Sequence, residues 1–200
     1  MAVPSSVVLE TPRLLLRPYR RRDVASIHDA VVASWPDLVP RLPWATGYSR
    51  NSASQFVRES QSAWQEGRAF DFTIRQVSTS TDNGLGPPDP ERHLGGISIW
   101  YVSRTNLVGE IGYWVRSDLT GRGVCTEAAR RLLRYGFDDL RLHRIVLRIA
   151  VGNRGSERVA EKLGFTNEGT LREEVKVGLS WLDHTVWGLL EDEWRRSVPR

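Results

Sequence analysis

The stretch that most constrains this chain runs from Gly109 to Thr126. Gly109-Glu-Ile-Gly-Tyr-Trp-Val115 is rich in β-formers and reads as a strand. Arg-Ser-Asp-Leu follows, then Thr120-Gly-Arg-Gly-Val-Cys-Thr126. From about Gly123 to Leu140, apolar residues recur at helical spacing: Ala128, Ala129, Leu132, Leu133, Phe137 and Leu140. A strand therefore meets a long helix through a turn with two glycines. Such a turn aims several backbone N–H groups at one point, and the helix start adds about half a positive charge. That suits a phosphate or pyrophosphate, which glycine lets approach the backbone closely. A tight strand–helix turn with no ligand explains the same residues. Thr126 stands where a G-x-G-x-x-G fingerprint needs its last glycine, and no G-K-[ST] ending follows. A nucleotide-dependent dehydrogenase or a P-loop NTPase is disfavoured.

Around this segment the elements alternate. Strands are predicted at 13–19, at 70–75, at 94–102 and 108–115, at 145–149, and at 166–177 and 181–190. Asp23 reads as the N-cap of a helix carrying Val24, Ile27, Val31 and Trp35. Ser52 and Gln55 read as a capping box before a helix with Phe56, Val57, Ser60 and Trp64, ending near Gly67. Val159, Ala160 and Leu163 mark a short helix closed by Gly164. Residues 78–92, rich in Ser, Gly, Pro and Asp, read as a mobile connection inside one domain spanning 1–200. The fold class is α+β, with a strand–helix–strand–helix section in the middle.

With 200 residues, 40% hydrophobic and 26% charged, the chain suits one globular domain. No apolar stretch is long enough to span a membrane. The first residues lack a secretory pattern, and the single cysteine, Cys125, excludes an internal disulfide. A cytoplasmic location is expected. The net charge of +4 is partly concentrated at Arg13, Arg17, Arg20, Arg21 and Arg22. A basic nucleic-acid module is one reading; a basic surface of an enzyme for polyanionic substrates is the plainer one. Four histidines show no metal-ligand spacing, so no metal is expected.

The run Thr120 to Cys125 resembles motif A of the GNAT superfamily, Q/R-x-x-G-x-G/A. Gly123 matches its middle glycine, while Thr120 and Cys125 depart from its ends. Gly121-Arg-Gly-Val-Cys-Thr-Glu-Ala128 is close to the W-G-x-G-x-A-T-E-A run of the RimJ/RimL ribosomal-protein acetyltransferase group. Glu10-Thr-Pro-Arg-Leu-Leu-Leu-Arg17 is similar to that group's first strand, Glu110-Ile-Gly-Tyr-Trp114 to its fourth, and Leu142-His-Arg-Ile145 to the entry of its fifth. Asn153-x-x-Ser156, Glu161-Lys-Leu-Gly-Phe165 and Glu168-Gly169 resemble its motif B, and Asp183-His184 and Glu193-Trp194 its last strand and tail.

The resemblance implies a mostly antiparallel seven-stranded sheet flanked by about four helices. Its fourth and fifth strands, here 108–115 and 145–149, splay apart. It implies transfer of an acetyl group from acetyl-CoA to a primary amine in a ternary complex. The acceptor is a protein N-terminus or a small molecule, and a homodimer is compatible. Cofactor contacts fall on Trp114, Val115 and Arg116, on Gly121, Arg122, Gly123, Val124, Cys125 and Thr126, and on Asn153. Ser156 matches a serine that protonates the departing thiolate; a helix N-cap is its bland explanation. Glu110, sharing a strand face with Gly112 and Trp114, is a candidate general base, with Glu173 and Glu174 as rivals. The group's glutamate falls one position later, at Val175. Cys125 reads as packing in preference to a nucleophile. Trp35 and Trp44 flank a loop that lines the acceptor cleft in such folds. The two departures in motif A leave a second reading open, a CoA-binding sensor without catalysis.

Overall fold

The computed structural model describes residues 7–77, 84–87, 89 and 91–197. Eight strands form one sheet: β1 (Leu9–Glu10), β2 (Leu14–Pro18), β3 (Ala69–Gln76), β4 (Gly95–Ser103), β5 (Val108–Val115), β6 (Arg144–Ala150), β7 (Thr166–Val177) and β8 (Ser180–Leu190). Their order is β1-β2-β3-β4-β5-β6-β8-β7, antiparallel throughout except at β5–β6. The expected count of seven is corrected to eight. The extra strand pairs Leu9 and Glu10 with Leu16 and Leu15, and two residues are too few to show any period.

The helices are α1 (Val24–Ala33), α2 (Trp35–Leu38), α3 (Arg50–Gln65), α4 (Val124–Arg134), α5 (Arg154–Leu163) and α6 (Glu191–Ser197). Beyond Arg134 the chain makes one π turn, Tyr135–Asp139, so the long helix expected to Leu140 changes pitch before its end. Trp35 opens α2 and does not extend α1. The capping box lies three residues earlier than expected: Ser49 Oγ accepts the Ser52 N–H, and Ser52 Oγ accepts the Ser49 N–H.

Alternation within the strands sorts the two faces. Ile97, Ile99, Ile111, Ile145, Leu147 and Ile149 meet Ala128, Ala129, Leu132 and Leu133 of α4 in the main core. On the other face, Ile27 and Val31 of α1 pack with Val57 of α3, Tyr19 and the partly buried Trp114. Leu85 is buried in the main core. The described part of the 78–92 connection therefore packs, since its one large apolar residue has a core to enter; 78–83, 88 and 90 lie outside the described residues.

Asp23 stands at the N-cap position of α1 but makes no capping bond. Its carboxylate turns inward to Arg17 (2.8 Å to each oxygen) and to Arg75 Nη2 (3.0 Å), and it accepts the Arg20 N–H at 2.7 Å. Burial alone would raise this carboxyl; the Arg17 fork, the Arg20 N–H and Arg75 outweigh it and hold it below the usual range. A group lowered in this way stabilises the fold above its unfolded pKa, and the contribution fades on acidification through the folded value. Asp23→Ala would strand two buried guanidinium groups. Denaturant unfolding at neutral pH should show a loss of about 3–5 kcal/mol, and a loss under 1 kcal/mol would mean the arginines find other partners.

Candidate active site

The β5–β6 ladder is short. It pairs Val108, Gly109 and Glu110 with Arg144, Ile145 and Val146, then stops. β6 continues beside β8 as far as Ala150, and β5 continues beside β4 as far as Val115. Residues 111–115 consequently have no strand partner on the β6 side. This is the expected splay, and it opens a gap through the middle of the sheet.

At the wide end of the gap lies the glycine turn. Gly121 and Gly123 have φ of 77° and 79°, a left-handed conformation that side chains resist. Nothing lies within 4 Å of where a Gly121 Cβ would stand, so the turn faces open space. Gly123 caps α4 without any side-chain hydrogen bond, which leaves N–H groups of the first turn for a ligand. The turn is braced from behind. Leu119 is buried, the Arg13 guanidinium donates to the Arg122 carbonyl at 3.2 Å, and Arg13 Nε meets Glu127 at 2.6 Å. Arg122 Nη1 donates to the Gly84 carbonyl at 2.7 Å. Arg116 is paired with Asp118 at 2.9 Å and holds that carboxyl below its usual range. Of the residues predicted to contact a cofactor, Gly121, Arg122 and Gly123 are exposed, Cys125 and Thr126 half-buried, and the Val124 side chain is buried, leaving its backbone to serve. The same backbone geometry fits a pyrophosphate. Burial pushes the Cys125 thiol up to about 12, so it is no thiolate at neutral pH.

Asn153 caps α5, its Oδ1 accepting the Ser156 N–H at 3.3 Å. The capping role considered for Ser156 thus belongs to Asn153. The Ser156 side chain is left beside Tyr113, whose hydroxyl also donates to the Ser156 carbonyl at 3.5 Å. Burial raises the Tyr113 phenol well above its usual range and keeps it protonated; the nearby Cys125 adds to the rise and Ser156 opposes it. Tyr113 was not singled out from sequence, although strand alternation from Glu110 puts it on the helix-α4 face.

On the opposite face stands a charged cluster. Arg148 meets Glu110 at 3.3 Å and Glu174 at 2.7 Å, and His184 Nδ1 lies 3.8 Å from Glu174 Oε2. Glu174 Oε2 and His184 Nδ1 are buried without a hydrogen-bond partner. Burial raises the Glu110 carboxyl; Arg148 opposes the rise and Glu174 adds to it. A bulge between Leu171 and Val175 explains how Glu174 arrives here. Glu173 has φ 50° and its N–H donates to Asp183 at 2.7 Å, so Glu173 stays exposed while Glu174 turns toward Arg148. Sequence spacing could not count through the bulge.

Beside this cluster a cavity of about 510 Å³ opens between the sheet, the first loop and α3. Trp44 lines it. Trp35 does not; its indole N–H donates to the Ala45 carbonyl at 2.7 Å. Among the described residues no group of His, Cys, Asp and Glu could hold a metal, and no helix is long and apolar enough to cross a membrane.

A sheet parted between two parallel strands, with a glycine-turned helix start at the gap, is the architecture of the GNAT fold. Residues 13–166 match the family described as an acetyltransferase (GNAT) domain, and the chain belongs to that family. Its relatives include ribosomal-protein acetyltransferases. The probable N-acetyltransferase YjcK of Bacillus subtilis (strain 168) is 37% identical over 111 residues, 55% of this chain and 61% of that protein. The chain spans little more than half the length, 55% and 61%, of two curated Bacillus subtilis relatives, YdaF and YjcK. The ribosomal protein uS5-alanine N-acetyltransferase of Escherichia coli (strain K12) is 24% identical over 94% of this chain and 93% of its own. Mycobacterium smegmatis RimJ in complex with CoA-disulfide superposes with a TM-score of 0.79 at 27% identity, over 94% of this chain and 88% of that one.

Gly123→Asp tests the phosphate turn. It puts a carboxylate at the helix start, and calorimetry should show CoA affinity falling at least about tenfold while the circular dichroism spectrum is kept. Unaltered affinity would place the phosphates elsewhere.

Proposed function

We propose that this protein transfers the acetyl group of acetyl-CoA to a primary amine, by direct attack in a ternary complex. The observation that carries this reading is the disposition of groups about the β5–β6 gap. Glu110 and Glu174 approach it from one face of the sheet, Ser156 and Tyr113 from the other. The thioester, lying along the unpaired edge of residues 111–115, would be reached by an amine from the carboxylate side. The amine nitrogen bonds to the carbonyl carbon, the C–S bond breaks, and a carboxylate or a water it orients takes the ammonium proton. A backbone N–H near Val115 supports the carbonyl oxygen as charge builds. The thiolate leaves toward Ser156, whose hydroxyl passes it a proton and takes one back from solvent, and the protonated Tyr113 phenol beside Ser156 keeps that corner neutral.

Trp114, Val115 and Arg116, the turn 121–126 and Asn153 form the CoA side of this reading. A relative named for N-acetylation of an alanine of ribosomal protein uS5 supports an amine acceptor. A cytoplasmic enzyme of one domain, with 78–92 as an insertion and a homodimer as its assembly, is the accompanying proposal. The alternative, a CoA-binding sensor, differs in one measurement: it binds acetyl-CoA and releases no thiol with any amine.

Catalytic substitutions sharpen the test. Glu174→Gln and Glu110→Gln should each be compared for kcat with acetyl-CoA saturating. The true base should lose about 10²–10⁴ in rate and keep its acetyl-CoA affinity. Ser156→Ala should lose about 10², since a thiol of pKa about 8.5 leaves tolerably without help, and its stability should stay within 0.5 kcal/mol because Asn153 holds the cap. Full rates in all three variants would overturn the assignment.

A further inference from the structure

The cavity beside Glu110 carries information about the acceptor that the transfer chemistry does not require. Its floor is three small residues on adjacent strands, Gly96 and Ser98 of β4 and Gly112 of β5. The two glycines are there for aromatic rings. A Cβ on Gly112 would stand 3.1 Å from Cη2 of Trp100, and one on Gly96 would stand 2.9 Å from Nε1 of Trp114 and 2.5 Å from the Tyr19 hydroxyl. Trp100 thus lies over Gly112 and Trp114 over Gly96, flat against the strands. The facing wall comes from the first loop and α3. Trp44 is 6.0 Å from Trp114 and 5.7 Å from Tyr48, centroid to centroid, and the residue remains 43% exposed. A large indole held half in water at the mouth of an aromatic cavity is poised to contact whatever enters.

Charge and hydrogen-bonding capacity narrow the occupant. Glu59 is the only charged residue among the described residues of the lining. Burial pushes the Tyr48 phenol up to about 12, so it does not supply an anion near neutral pH, and ring faces attract cations. Among the described lining residues a carboxylate or phosphate finds no cation, whereas an ammonium finds ring faces there and, just outside, Glu110, which lies directly opposite Trp100 in the β4–β5 register and is shared with Arg148 at 3.3 Å. An extended polypeptide is poorly served. It brings a backbone N–H and C=O with every residue, and these need partners when buried. Here the β4–β5 ladder is paired without a break from Gly95↔Val115 to Tyr101↔Gly109, and the one free edge near the floor, the β6 side of residues 111–115, is the one the thioester takes in the reading above.

We propose that the acceptor is a small primary amine with a flat apolar body and no negative charge, its body against Trp44, Trp100 and Trp114 and its amine toward Glu110. This rests on the acetyltransferase reading above and names the substrate class for the same site. About 510 Å³ is of the size of pockets for small organic ligands.

The test is a comparison of acceptors on the full chain, following CoA thiol release. 2-Phenylethylamine, propylamine, phenylalanine and a hexapeptide with a free N-terminal alanine would be assayed at saturating acetyl-CoA. The aryl amine should exceed propylamine and the peptide in kcat/KM by at least about tenfold. Phenylalanine, which differs from it by a carboxylate, should fall below it by a similar factor. Trp44→Ala should raise KM for the aryl amine about tenfold with acetyl-CoA affinity by calorimetry unaltered, and Trp44→Phe should restore most of it. Trp44 is exposed enough for both variants to fold. If the peptide is the better acceptor, or Trp44→Ala leaves the aryl amine's KM in place, the inference fails while the acetyltransferase stands. If acetyl-CoA binds and none of the four amines is acetylated, both readings fall.

Discussion

The early end of the β5–β6 ladder is the constraint on which the rest of the site depends. A parallel pair of central strands would ordinarily exchange hydrogen bonds along its length. Here the exchange ends at Glu110 and Val146, because β6 stays with β8 while β5 stays with β4. Each strand keeps one partner, so the gap costs the fold only the bonds on its inner edges. Those unpaired groups are what an extended ligand can complete. The glycine turn and the uncapped start of α4 extend the same logic to a phosphate, with backbone again supplying the donors.

Parting the sheet also decides where polar side chains can gather. Residues flanking the gap alternate between its two faces, so Glu110 and Tyr113 diverge although three positions apart. The face with Tyr113 is apolar, backed by α4, and its hydroxyls stay protonated. The face with Glu110 collects Arg148, Glu174 and His184 from three further strands. The guanidinium of Arg148 makes two carboxylates compatible at close range, which neither would be alone. At the far edge of the sheet the Asp23 carboxylate does the same for the two buried guanidinium groups of Arg17 and Arg75, with no catalytic use evident.

Much of this was legible in the sequence because it is local. Gly121 and Gly123 punctuate the passage from strand to helix, and the apolar period of α4 follows at once. The splay itself came through family resemblance, since nothing in residues 108–115 or 145–149 records how far they pair. Features that needed the third dimension were missed or misplaced. The Ser52–Gln55 box matched a pattern that Ser49 and Ser52 satisfy in fact. Asp23 had the right place for a cap, but Arg17, six residues before it, and Arg75, 52 residues after it, claimed its carboxylate. Glu174 was one of two adjacent candidates until the bulge at Glu173 separated them. Tyr113 went unnoticed because its partner, the Ser156 backbone, lies 43 residues away.

The gap is a passage as well as a cleft, and this shapes traffic through the protein. A ligand laid along residues 111–115 arrives by way of the glycine turn, whereas the aromatic cavity opens beneath the first loop and α3. The two entrances belong to different sides of one sheet. On the proposed reading neither visitor would block the other's door, and neither would need to leave before its counterpart comes in. Initial-rate lines would then intersect when both substrates are varied, and an inhibitor lodged in one entrance would leave the other open.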